Sequence, residues 1–165
     1  MSLRPSPRLT PLLLAPFFVL SPILAAPAHA IEVGVFLSDA RPAVWGTGVG
    51  GTLTTTWFKL VALEAELARQ PGVPVQSSMT SFTTSALLAP PIGPFTPFGG
   101  FAVGLFRQSR GTLRDNGTLK AFVLGVKLKV AGLLVIRAEY RAIDLPGDAP
   151  LGMDKRLSGG IGISF

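Results

Sequence analysis

Cysteine is absent from this chain. That excludes disulfides, thiolate metal sites, a cysteine nucleophile and a lipid-modified lipoprotein cysteine together. Histidine occurs once, at His29. Charged residues are sparse, 15% against 48% hydrophobic, yet no apolar run is long and unbroken enough to read as a spanning helix, which needs roughly 20 residues. What the chain does have is glycine and proline, 19 and 15 of 165 residues. That composition suits short strands and turns in a single domain better than helices.

The first 30 residues follow the order of a secretory leader. MSLRPSPR supplies Arg4 and Arg8 without an acid, LLLAPFFVLSPILAA is apolar, and APAHA ends on Ala28-His29-Ala30, an A-x-A cleavage pattern. Pro16 and Pro22 interrupt the apolar part, which argues against a membrane anchor. The expected organisation is therefore a cleaved signal peptide over 1–30 and one domain over 31–165. Cleavage removes the single His and lowers the net charge from +6 to +4 by taking Arg4 and Arg8.

Beyond residue 30 the apolar residues alternate, the period of a strand. IEVGVFLS sets Ile31, Val33, Val35 and Leu37 on one face, and VWGTGVGGTLT groups Trp45, Val49 and Leu53 opposite glycines. FKLVALEAELAR opposes Val61, Leu63, Ala65 and Leu67 to Glu64 and Glu66. SSMTSFTTSALL gives a weaker stripe through Phe82, Ala86 and Leu88, and TPFGGFAVGLF sets Phe101, Val103 and Leu105 against Gly100, Ala102 and Gly104. LKAFVLGVKLKV sets its apolar face against Lys127 and Lys129, LLVIRAEYRA against Arg137, Glu139 and Arg141. RLSGGIGISF closes the series with Leu157, Ile161, Ile163 and Phe165 in phase. LEAELAR consists of good helix formers, but Trp57-Phe58 before it and Gln70-Pro71-Gly72 after it leave little room, so it is read as a strand.

Short connections (TTTW, PPIG, VAG) alternate with longer polar ones (SDARP, QPGVPVQ, QSRGTLRDNG, IDLPGDAPLGM), the wiring of an up-and-down meander with two unlike ends. All five Asp are assigned to the longer connections and all four Glu to strands. The face opposite the large apolar residues is mostly Gly, Ala, Ser and Thr with scattered charges. Small residues suit a narrow lumen, whereas glycines spread over a soluble surface would supply neither solubility nor strand propensity. The apolar stripes are therefore expected outside. Trp57, Phe58, Phe95, Phe98 and Phe165 fall at the short-turn end, as a girdle at a membrane interface would.

The leader, the Gly-rich alternating strands, LEAEL, LLVIRAEYR and a last strand closing on Phe165 resemble the small OmpA/OmpX-type outer-membrane β-barrel family, over all of 31–165. The resemblance implies an all-β, up-and-down antiparallel transmembrane barrel of about eight strands. It also implies export by the general secretory route to a Gram-negative outer membrane, a monomer, and a C-terminal strand ending in Phe165 that serves as the signal for the barrel assembly machinery. Ile161 and Ile163 depart from the usual aromatics of that strand, and the short outer loops argue against a large adhesive surface.

Site expectations follow. Glu64, Glu66, Lys127, Lys129, Arg137, Glu139 and Arg141 are assigned to a lumenal charge network, since buried charges are generally paired. Arg107, Arg110 and Arg114 in RQSRGTLRDNG read either as a solvated loop closed by Asn116-Gly117 or as contacts to lipopolysaccharide, because guanidinium matches phosphate geometry. Without His in 31–165 a serine has no ordinary general base, so no catalytic residue is assigned. Asp144 to Asp154 lacks a calcium-loop spacing, so no metal or cofactor is expected. Nucleic acid is a poor partner for an exported chain without an aromatic-basic groove. The leading function is a structural or surface-interaction protein of the outer membrane with a filled lumen. The alternatives are a narrow passive channel and, further off, a soluble lipocalin-like binder of hydrophobic ligands.

Overall fold

The structure is a computed structural model and describes residues 30–72, 77–130, 132–145 and 152–165. The leader expected over 1–30 lies outside these residues except for Ala30, the first residue of β1. Eight strands follow in order: β1 Ala30–Arg41, β2 Gly48–Trp57, β3 Val61–Gly72, β4 Ser77–Leu88, β5 Phe95–Arg110, β6 Leu113–Val130, β7 Leu134–Asp144 and β8 Lys155–Ser164. Each pairs antiparallel with its chain neighbours, and β1 pairs with β8 to close the barrel. Closure leaves no free edge along the body of the sheet. LEAELAR is part of β3, paired throughout with β2 and β4, so burial and pairing override its helix propensity.

The wall is inverted relative to a soluble barrel. Val35 and Leu37 on β1, Phe101 and Val103 on β5, and Leu157 and Ile161 on β8 are all more than half exposed. Glu64, Glu66, Glu139 and Arg141 are buried inside. This overturns the lipocalin-like alternative, whose apolar stripes had to face inward.

Inward glycines answer to inward aromatics. Phe36 lies directly across from Gly50 on β2 and Gly160 on β8, Phe98 from Gly125, and Phe106 from Gly117. The rings fold over the bare backbone, so that a Cβ at Gly125 would come 2.3 Å from the Phe98 ring. The lumen narrows to side-chain width because large and small residues are matched in register.

At the short-turn end, Leu60 N–H donates to the Trp57 carbonyl at 3.1 Å, with Phe58 and Lys59 both left-handed at φ 52° and 59°. The last strand is fastened at the same end: Phe165 N–H donates to Ile31 C=O at 2.8 Å.

Three expectations need correction. QSRGTLRDNG is not a loop: β5 runs to Arg110, β6 starts at Leu113, and the turn is Gly111-Thr112 with Gly111 at φ 60°. Asn116-Gly117 lies within β6, paired with Arg107 and Phe106. The strands continue past the apolar belt, where polar residues are solvated without cost. For the same reason Asp39, Asp115 and Asp144 occupy strands rather than connections, while Asp148 lies outside the described residues. Trp45 does not share the outer face of Val49 and Leu53. It precedes β2, is only 3% exposed, and its indole N–H donates to Gly152 C=O at 3.1 Å. A buried indole needs a partner for that N–H, and Trp45 finds one while joining Met79, Leu119 and Met153 in an apolar cluster at the long-connection end.

Candidate functional site: the lumenal charge core and the outer wall

Alternation places Glu64 and Glu66 on the inner face of β3 and Arg137, Glu139 and Arg141 on the inner face of β7. β3 and β7 are four strands apart in the ring, so their side chains meet across the full width of the barrel. Arg137 grips the Glu64 carboxylate with both terminal nitrogens, Nη2 at 2.9 Å from Oε1, and also bonds Glu139. Arg141 donates to Glu139 at 2.5 Å, to Glu64 at 3.1 Å and to the Thr83 hydroxyl at 2.9 Å, and pairs with Glu66 at 2.8 Å. Thr54 O–H donates to Glu64 Oε2 at 2.9 Å. These are forked, charge-assisted contacts, the geometry in which a buried ion pair offsets its own desolvation.

Two members were missed in the sequence reading. Arg156 on β8 places Nη2 2.6 and 2.7 Å from the two Glu66 oxygens, and Glu32 on β1 accepts from Lys127 at 2.9 Å. Both sit in the inward phase of their strands, and that phase was the available signal: Arg156 leads Ser158, Gly160 and Gly162, and Glu32 precedes Gly34. With them the interior balances, Glu32, Glu64, Glu66 and Glu139 against Lys127, Arg137, Arg141 and Arg156.

Lys129 does not join. It lies in the inward phase but at the exposed rim beside the β6–β7 turn, beyond the packed interior.

Phe98 does not belong to the exposed girdle either. It is 3% exposed inside the barrel, with the Arg137 guanidinium 4.6 Å from its ring centroid and Lys127 Nζ at 5.6 Å. Phe95 and Phe98 are three positions apart on one strand, so they must face opposite sides. Phe58, Phe95 and Phe165 are exposed at the short-turn end and Trp57 is half-buried there.

Among the described residues the interior leaves little free space. The void bounded by Arg141 and Arg156 and the one bounded by Arg137 and Glu32 hold about 10 Å³ each, room for about one water. Above the charges, Ser38 donates to Gln70 at 3.0 Å and Gln70 donates to Gly46 C=O, beneath the Trp45 cluster.

At the long-connection end the three arginines of the β5–β6 hairpin are exposed. Arg107 and Arg114 take the outward phase, whereas Arg110 takes the inward phase beside the turn.

An apolar outer belt around a charge-filled interior defines a small inside-out barrel of the transmembrane kind. No family model matches the chain, and no curated protein matches it. Solved structures do. Neisserial surface protein A matches at TM-score 0.65 and 15% identity over 83% of this chain and 96% of that one. The N-terminal β-barrel domain of Pseudomonas aeruginosa OprF matches at 0.58 and 17%, over 82% and 97%. Ail, the attachment invasion locus protein of Yersinia pestis, matches at 0.52 and 14%, over 83% and 97%. The resemblance to OmpA/OmpX-type barrels therefore holds at the level of the fold.

Proposed function

We propose that this chain is a monomeric integral protein of a bacterial outer membrane, exported by the general secretory route, with a structural or surface-interaction role and no catalytic one. The observation that carries this reading is the pairing of a lipid-compatible wall with a sealed, ion-paired lumen. Large apolar side chains such as Leu37, Phe101 and Leu105 are exposed on the wall, and charges confined inside cancel one another. In water that wall would be an aggregation hazard; in a bilayer it is the required surface.

The long connections face the exterior in this reading, and the exposed Phe58, Phe95 and Phe165 lie at the periplasmic interface. The partners proposed are outer-membrane lipid, including lipopolysaccharide at the Arg107 and Arg114 face, and the barrel assembly machinery during insertion. Fractionation with a heat-modifiability gel tests the proposal. A detergent-requiring protein whose mobility shifts on boiling is expected. Recovery in the soluble periplasmic fraction without detergent would refute it.

A further inference from the structure

We infer that the outer wall of β3–β6 carries a site for a phosphorylated glycolipid of the outer leaflet, with its phosphate held between Arg69 and Arg107. The site rests on the membrane reading above. Pairing register supports it first. Arg69 on β3 is opposite Thr80 on β4, Thr80 opposite Arg107 on β5, and Arg107 opposite Asn116 on β6. These residues form one rung across four adjacent strands, all in the outward phase and all exposed. Strands about 4.8 Å apart put the two arginine Cα atoms roughly 10 Å apart, with the Thr80 hydroxyl between them and the Asn116 amide alongside.

The next rung toward the membrane centre is Leu67, Phe82, Leu105 and Thr118, in the same register. The polar rung thus sits directly on the rim of the apolar belt. Between Leu67, Phe82, Leu105 and Thr118 the wall has a shallow, open depression whose upper edge includes Thr80, Arg107 and Asn116. A cationic upper edge over an apolar trough complements an amphiphile, an anionic head above an acyl chain.

Charge is distributed to match. The outward phase of β3, β4, β5 and β6 contains no acidic residue, and Arg114 adds to its positive charge, while Lys120 at the β6 edge stands directly across from Asp144 on β7. The acids at this end lie outside that wall, Asp144 on the neighbouring β7 and Asp39 on β1, where Arg41 lies 3.9 Å from Asp39. Among the described residues no ion-pair partner lies against Arg69 or Arg107. Their guanidinium groups are left for a ligand, and a bidentate fork suits a phosphate monoester.

The test is native mass spectrometry of the refolded protein in a neutral detergent, titrated with bis-phosphorylated lipid A, with the same lipid after enzymatic dephosphorylation, and with phosphatidylglycerol. The expected order is lipid A above both others, with Arg69→Gln and Arg107→Gln each weakening lipid A binding about fivefold, the effect of one cation near an anionic lipid surface. Arg110→Gln, in the opposite phase of the hairpin, and Lys129→Gln, at the other end of the barrel, should leave binding unchanged. Equal retention of dephosphorylated lipid A, equal binding of phosphatidylglycerol, or indifference to both rung substitutions would overturn the site. A heat-modifiability shift on every sample separates the outcomes. A variant or wild type that does not fold in detergent counts against the membrane-barrel reading, whereas a folded barrel without phosphate preference removes only this site.

Discussion

Arg137 on β7 and Glu64 on β3 bridge the barrel from wall to wall, Nη2 to Oε1 at 2.9 Å, with the Phe98 ring 4.6 Å from the guanidinium carbon. Removing one partner leaves a carboxylate buried without its fork. Arg137→Ala is expected to cost about 3–5 kcal/mol, the range for breaking a buried pair. Arg110→Ala, at the exposed hairpin tip, should stay within about 0.5 kcal/mol. Urea unfolding of barrels refolded in lipid vesicles measures both. Similar midpoints for the two variants would mean that the lumenal network contributes little.

The same packing predicts electrical silence. Lumenal voids of about 10 Å³ are separated by Arg137, Arg141 and Arg156, and the Trp45 cluster covers the far end. No continuous water path follows from voids that hold about one water each. Purified protein in planar bilayers should give near-zero conductance, with any openings rare and brief. Large, steady single-channel currents would move the narrow-channel alternative to first place.

Most of the charge core is legible in the sequence, while Arg156, Glu32 and the aromatic packing are not, for one physical reason. Alternation alone assigns a residue to a face, which sufficed for Glu64, Glu66, Arg137, Glu139 and Arg141 on the two clearest strands. Alternation does not say where a strand begins. Phe98 was grouped with Phe95 because both lie near a proline-rich turn, although an odd spacing sends them to opposite faces once β5 starts at Phe95. The outer hairpin failed in the same way: polar composition read as loop, but above the apolar belt a strand needs no apolar face. Register carried the rest. That Phe36, Phe98 and Phe106 each stand across from a glycine is visible only after the strands are paired.

That register makes Gly125 a sensitive position. A Cβ there would lie 2.3 Å from the Phe98 ring and 2.6 Å from the Ala138 carbonyl oxygen. Gly125→Ala should destabilise the barrel by about 1–3 kcal/mol, the usual cost of overpacking. Adding Phe98→Leu should recover part of the loss and not all, since the backbone contact with Ala138 persists. Additive losses in the double-mutant cycle, measured by the same unfolding assay, would show that the ring and the glycine are not coupled.

The outer wall gives the sharpest contrast between a membrane and an aqueous setting. Ile161 is 57% exposed on β8, between Gly159 and Ile163 in the apolar phase. On a soluble protein, Ile161→Arg at so open a position would be near neutral. Facing lipid near mid-belt it should cost about 2–4 kcal/mol. Comparing unfolding free energies in vesicles for Ile161→Arg and for Lys155→Ala, at the polar rim of the same strand, isolates the lipid term. A negligible effect of the arginine would place that wall in water.

Phe165 stands at the short-turn end of the wall. It is 73% exposed, and its backbone pairs with Ile31, so an aromatic ring is held outward at the short-turn end where β8 meets β1. An outward aromatic at that level anchors at the membrane interface, and we expect the same ring to be read by the assembly machinery before the barrel closes. Phe165→Asp should therefore lower the amount of protein inserted in the outer membrane while leaving export to the periplasm intact. Phe165→Tyr, which keeps the ring and its interfacial preference, should insert normally. Quantifying heat-modifiable barrel in the membrane fraction and unfolded chain in the periplasm distinguishes the two steps. If the Asp variant inserts as well as the wild type, neither anchoring nor recognition depends on that ring. If precursor with its leader uncleaved accumulates instead, the substitution has acted before export and the assembly role is wrong.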